Sequence, residues 1–217
     1  QGILPPIVQR PTFTIRKKAV KIFTLEDYVS QEILKPTHAD IIRHAIASRK
    51  NILIAGGTGS GKTTLTNAIL NEIAATQDRV VIIEDTQELQ CNADDCVSLR
   101  TKEECASMTD LLRATMRLRP DRIVIGEVRG PEALALLKAW NTGHPGGCAT
   151  LHADSAERAL SRLEQLVFEA GISAANRLIA EAVNLIVFIE KHGVSRQVRE
   201  ILALHGVSGD SYQLERL

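Results

Sequence analysis

Gly56-Gly57-Thr58-Gly59-Ser60-Gly61-Lys62-Thr63 satisfies the pattern GxxxxGK(S/T), and the residues on either side of it decide the fold. Upstream, residues 51–55 form a short apolar run, the signature of a parallel strand covered on both faces. Downstream, residues 62–75 read as a helix with Leu65, Ile69 and Ile73 on its buried side. A chance match in a chain of this length is on the order of one in a hundred, and the strand-loop-helix context is what makes the pattern a phosphate-binding loop. Such a loop wraps a polyphosphate with main-chain N–H groups, so glycines are needed where a side chain would obstruct the ligand. The helix that starts near Lys62 adds its own unsatisfied N–H groups and the positive end of its dipole. Gly57, Thr58, Gly59, Ser60, Gly61, Lys62, Thr63 and Thr64 are therefore the expected contacts for ATP or ADP. Lys62 brings a full charge to the β and γ phosphates, and the Thr63 hydroxyl is placed to ligate Mg²⁺.

Further candidate strands lie at 80–83, 123–125 and 148–151, and between them the helical stretches 109–118 and 131–140, the latter with Pro131 in its first turn. Strands alternating with helices imply a parallel sheet. A helix over 37–48, with Thr37 as its cap, leads into the first core strand. Helices near 155–169 and 173–182 follow the sheet, and then Leu185, Val187 and Ile189 alternate into a turn at 192–195. The expected architecture is α/β: a mainly parallel central sheet flanked by helices, with a short antiparallel C-terminal extension. Trp140 reads as core.

At 217 residues the chain holds one main domain. The opening segment, with Pro5, Pro6 and Pro11 ahead of alternating Phe13 and Ile15, suits a linker and one extended strand. The chain opens on Gln1, as a segment of a longer protein would. Hydrophobic residues make up 44% and charged residues 24%, which argues against disorder. Lys plus Arg and Asp plus Glu both number 26, so no global field draws the chain to nucleic acid, and strong direct nucleic-acid binding is not expected. A basic cluster at Arg16, Lys17, Lys18 and Lys21 reads as a solvated strand face, and peripheral membrane contact is left open. Cys91, Cys96, Cys105 and Cys148 contain no CxxC pair, which favours a reducing compartment, the cytoplasm. No apolar run approaches the ~20 residues of a bilayer span.

Nucleotide hydrolysis also needs carboxylates at the carboxyl ends of neighbouring strands. Glu84 and Asp85 end the run VVIIED, and Glu127 ends RIVIGE. Arg113 and Arg117, four apart on a predicted helix, share a face from which they could act on phosphate in a neighbouring subunit as arginine fingers, with Arg100 and Arg129 as weaker candidates. His144, Cys148 and His152 have a spacing of four and four, but Pro145, Gly146 and Gly147 break the helix that a metal site at that spacing needs.

GGTGSGKTT, VIIEDTQEL, RLRPDRIVIGEVRG and TGHPGGCATLHADSAERAL, in that order, resemble the motifs of the type II and type IV secretion ATPases, most closely their conjugal-transfer members. The specific likeness spans about residues 23–166. The resemblance implies a RecA-like fold and identifies the four stretches as a Walker A loop, an aspartate box, an atypical Walker B segment and a histidine box. It implies Glu84 as catalytic base and Glu127 as the Walker B acid near Mg²⁺ and water, roles that the sequence by itself leaves undivided. It makes His152, with His144 second, the residue that reads the nucleotide state. Members form hexameric rings in which an N-terminal domain clamps the nucleotide, so residues 1–35 are expected to be the remnant of that domain plus its linker, and 36–217 the ATPase domain. The expected partners are further copies of the chain and inner-membrane secretion or conjugation components. The favoured function is a Mg²⁺-dependent ATPase energising conjugative DNA transfer or type IV secretion. The alternatives are a type IV pilus or type II secretion motor and a nucleotide-binding scaffold without turnover.

Overall fold

In the computed structural model, which describes residues 2–15, 22–193 and 195–217, the apolar runs around the phosphate loop become the centre of one mixed sheet. A two-stranded ribbon, β1 (Gly2–Ile3) against β2 (Thr12–Phe13), comes first, so the expected single strand is one half of an antiparallel pair. The basic cluster at Arg16, Lys17, Lys18 and Lys21 lies outside the described residues. Next come α1 (Leu25–Ser30) and α2 (Pro36–Ala47). Helix α2 is not capped by Thr37: Lys35 is its N-cap and Pro36 takes the first turn, where a fixed φ and a missing N–H cost nothing.

The remaining order is β3 (Ile52–Gly56), α3 (Lys62–Ala74), β4 (Val80–Glu84), β5 (Cys96–Arg100), α4 (Met108–Thr115), β6 (Arg122–Val128), α5 (Glu132–Asn141) and β7 (Cys148–His152). The chain closes with α6 (Ala156–Glu169), α7 (Asn176–Ala182), β8 (Leu185–His192), β9 (Ser195–Ser208) and β10 (Ser211–Arg216). The sheet runs β10-β9-β8-β3-β7-β6-β4-β5. Strands from β8 to β5 are mutually parallel, and β9 and β10 add antiparallel to β8, which is the expected extension, with β9 reaching 14 residues.

Why the central strands read as unbroken apolar runs is visible in their faces. Leu53 and Ala55 of β3, with Val81 and Ile83 of β4, pack with Leu112, Leu136, Trp140, Leu160 and Ile179 of α4 to α7. Ile52 and Ile54, with Val80 and Ile82, face Ile42 and Ile46 of α2 and Leu65, Ile69 and Ile73 of α3 on the other side. Alternate side chains enter two separate cores, so most positions of these strands are apolar. Leu25, Tyr28 and Leu34 are buried in the second of these cores. Because the strands are parallel, the loops after β3, β4, β6 and β7 emerge at one sheet edge. No helix among the described residues is long and apolar enough to cross a membrane.

Candidate active site

At that edge a cavity of about 580 Å³ opens over the phosphate loop, lined by residues 57–64, Asn67, Glu84, Asp85, Thr86, Glu88, Gly126, Glu127, Arg129, Thr150, His152 and Arg196. All eight expected loop contacts border it. Gly56 ends β3 so close to its surroundings that a Cβ would lie 2.3 Å from the Ile189 carbonyl oxygen. Gly61 is the N-cap of α3 with φ at 100°, a conformation other residues adopt only with strain, and no side chain caps the helix. The first-turn N–H groups therefore have no side-chain acceptor and face the cavity as an anion site. Ser60 is buried, and its Oγ has no hydrogen-bond partner among the described residues. Lys62 Nζ donates to the carbonyls of Gly56 (2.8 Å) and Gly57 (3.1 Å). Burial holds its pKa below the ordinary lysine range, with the charge of Glu127 opposing that shift and Arg129 adding to it.

Glu84 ends β4 as a buried carboxylate whose Oε1 accepts the N–H groups of Glu88 (3.0 Å) and Leu89 (2.9 Å). Its Cγ stands 3.0 Å from where a Cβ on Gly126 would be, so the residue before Glu127 must be bare for the two acids to sit side by side. Glu127 owes its direction to an irregularity. Between Ile125 and Val128, β6 carries one residue more than the facing stretch of β7, a bulge at Gly126 and Glu127 that re-aims the side chain. Thr150 Oγ1 donates to the Gly126 carbonyl at 2.6 Å, satisfying an acceptor at the bulge. Arg129 bonds Glu127 Oε2 through Nε at 2.9 Å and stands 3.6 Å from Asp85, and the Glu127 hydrogen bond raises its pKa.

His152 closes β7 in register with Gly56 and is exposed in the cavity. His144 is elsewhere: its Nδ1 is 2.8 Å from the Pro120 carbonyl oxygen, ahead of β7 at the opposite edge of the sheet. Arg113 and Arg117 are also outside the cavity. Helix α4 stops at Thr115, so Arg117 lies past the C-cap rather than on the helix with Arg113, and both are exposed. Arg113 borders a separate cavity of about 510 Å³ between α4 and α5. Arg100 is exposed at the end of β5. Of the four arginines singled out in the sequence, the structure brings Arg129 alone to the phosphate loop.

Asn67, Thr150 and Arg196 were not singled out. Asn67 is buried five residues into α3, where its Oδ1 accepts the Gln90 N–H at 2.9 Å and its Nδ2 donates to the Glu88 carbonyl at 3.4 Å. The loop that fixes Glu84 is thus tied to the phosphate-loop helix. Helical spacing puts Asn67 beside Thr63, Thr64 and Leu70, on a different side of α3 from Leu65 and Ile69, so no break in the apolar face marked it.

Residues 3–198 match the family model described as "Type II/IV secretion system protein". The chain is 54% identical to the conjugal transfer protein TrbB of Rhizobium radiobacter over 99% of its own length and 67% of that protein. It is 52% identical to the probable conjugal transfer protein TrbB of Sinorhizobium fredii, with 99% and 66% covered. The crystal structure of the VirB11 ATPase from the Brucella suis type IV secretion system in complex with sulphate superposes with a TM-score of 0.72 at 28% identity, over 87% of this chain and 65% of that one. The chain thus spans about two thirds of the length of the relatives it matches.

Proposed function

This chain belongs to the type II/IV secretion system protein family, and from that premise we propose that it hydrolyses ATP to drive conjugative DNA transfer or type IV secretion. One observation carries the reading. The uncapped start of α3, Lys62 and two glutamates from the ends of β4 and β6 border a single cavity. Loop N–H groups and Lys62 bind the phosphates, Lys62 exchanging its carbonyl partners for phosphate oxygens. Glu84, its carboxylate oriented by two main-chain N–H groups, takes a proton from the attacking water as the water oxygen bonds to the γ-phosphorus and the bond to the β,γ-bridging oxygen breaks. Hydroxyl and carboxylate oxygens are the donor set a hard cation takes, and Thr63 and Glu127 border the same cavity, so these two residues would hold Mg²⁺. When bound, the ion would supply charge neutralisation to the phosphates. His152, exposed beside the loop, responds to whether the γ-phosphate is there.

The working assembly in this reading is a hexameric ring in the cytoplasm, placed against inner-membrane secretion or conjugation components. Arg113 and Arg117, exposed and remote from their own loop, act on the phosphates of the next subunit. Residues 1–35 belong with a nucleotide-clamping N-terminal part, and 36–217 with the ATPase domain.

Steady-state phosphate release from ATP and Mg²⁺, compared among the wild-type chain, Lys62→Ala and Glu84→Gln, tests the proposal. Lys62→Ala abolishes nucleotide binding or turnover on this reading. Glu84→Gln keeps nucleotide binding and loses on the order of 10²–10⁴ in rate, the usual contribution of a positioned base. Normal turnover by Lys62→Ala sinks the reading, and tight ATP binding without turnover by any form replaces the motor with a nucleotide-dependent scaffold.

A further inference from the structure

The acids reach the phosphate loop from one flank. In the sheet, β7, β6 and β4 lie to one side of β3 and deliver His152, Glu127 and Glu84. On the other side lie β8 and β9, and from β9 the side chain of Arg196 extends back to line the same cavity. Its Cδ is 2.9 Å and its Nε 3.3 Å from the point that a Cβ on Gly61 would occupy, so its stem rests on bare loop backbone.

The surroundings of this arginine differ from those of Arg129. Arg129 is taken up by Glu127 and Asp85. Arg196, among the described residues, has no carboxylate partner; its charge lowers the pKa of the Tyr28 hydroxyl, against the larger raising effect of burial. A guanidinium offers a planar fork of donors suited to phosphate oxygens. The strand that carries it is fixed by pairing with β8 and by the Val198 N–H, which donates to the Ile33 carbonyl at 2.8 Å.

We propose that Arg196 is a ligand for the non-transferred phosphates of the bound nucleotide, gripping them from the flank opposite Glu84 and Glu127. The step rests on the nucleotide reading above. The acids attend the γ-phosphate, where water attacks, so the opposite flank of the loop faces the α and β phosphates that remain in the product. The C-terminal extension thereby becomes part of the nucleotide site.

The test is calorimetric titration of this chain with ADP and with a non-hydrolysable ATP analogue, for wild type, Arg196→Ala, Arg196→Lys and Lys62→Ala. The ligand-free melting temperature of each variant is recorded alongside. Because Arg196 is exposed, its variants melt with the wild type. Arg196→Ala weakens both ligands by the same factor, about tenfold for a lost charge-assisted hydrogen bond, and Arg196→Lys recovers part of the loss. Wild-type affinities in Arg196→Ala, with binding lost in Lys62→Ala, overturn this inference and leave the nucleotide reading standing. Weakening confined to the ATP analogue also overturns it, since that result moves Arg196 to the γ-phosphate. A wild-type chain that binds neither ligand overturns both.

Discussion

Asp78 stands at the sheet edge away from the cavity, where it receives nearly everything a buried carboxylate can use. Arg122, itself fully buried, donates to it through Nε at 2.6 Å while spending Nη1 on the Gly146 carbonyl and Nη2 on the Ile46 carbonyl. Thr76 Oγ1 donates at 2.8 Å, and Arg49 pairs with the other carboxylate oxygen. Burial opposes ionisation of Asp78, but the hydrogen bonds from Arg122 and Thr76 and the charges of Arg122 and Arg49 outweigh it and hold the pKa below the ordinary range. A depressed carboxylate pKa means stability that is fully present above the unfolded-state value of about 3.9 and is lost as pH falls through the folded-state value. Thermal melts from neutral pH to about pH 3 should therefore show a steeper acid loss in the wild type than in Asp78→Asn, which cannot titrate. At neutral pH, Asp78→Ala should cost about 3–5 kcal/mol in denaturant unfolding, because it strands the Arg122 guanidinium in the core. Nothing in the sequence around Asp78 or Arg122 announced this pair, since 44 residues separate them. Glu84 and Glu127, by contrast, were legible because each ends an apolar run, and strand-end position is a local property.

Packing between elements makes a sharper demand at Gly147. A Cβ there would lie 2.1 Å from the Ile123 carbonyl oxygen and 2.4 Å from Trp140 Nε1, the donor that bonds that same carbonyl at 3.2 Å. Helix α5 is pinned to β6 through the space an alanine would fill. Gly147→Ala should lower stability by about 1–3 kcal/mol or more, read as a shift in the denaturant midpoint at unchanged slope, because backbone cannot yield as a side-chain tip can. The same element-level physics explains which parts of the fold the sequence disclosed. Strands β3, β4, β6 and β7 were legible because burial on two faces leaves apolar runs. Strand β5 was not: at the sheet margin only Val97 and Leu99 pack on the first core, and CVSLR is too weakly apolar to stand out. Helix α1 lies in a stretch that reads as linker, although Thr24 and Asp27 form a capping box, a readable start signal for a helix of only six residues. The helix expected over 109–118 starts one residue late and runs three residues past the end of α4, since apolar period says little about where a helix frays. The bulge that turns Glu127, and the fold-back of β9 that brings Arg196 to the loop, depend on strand pairing across the sheet and leave no local trace.

For the molecule as a whole, the cavity receives acids from one side of β3 and a single arginine from the other, while Arg113 and Arg117 remain outside. Arginines that do not line their own phosphate-loop cavity suit a role at the site of another copy of the chain. Copies joined head to tail, as ring closure requires, each present such a surface to the next site. Arg113→Ala and Glu84→Gln should then each be inactive alone for different reasons, the first chain keeping the base and the second keeping the arginine. Mixed in equal amounts and allowed to exchange subunits, they should regain roughly a quarter of wild-type phosphate release per chain, since half the chains carry an intact base and half of their neighbours carry Arg113. A mixture no more active than its components, under conditions where the wild type assembles and turns over, would remove Arg113 from catalysis and leave it as a surface residue beside the α4–α5 cavity.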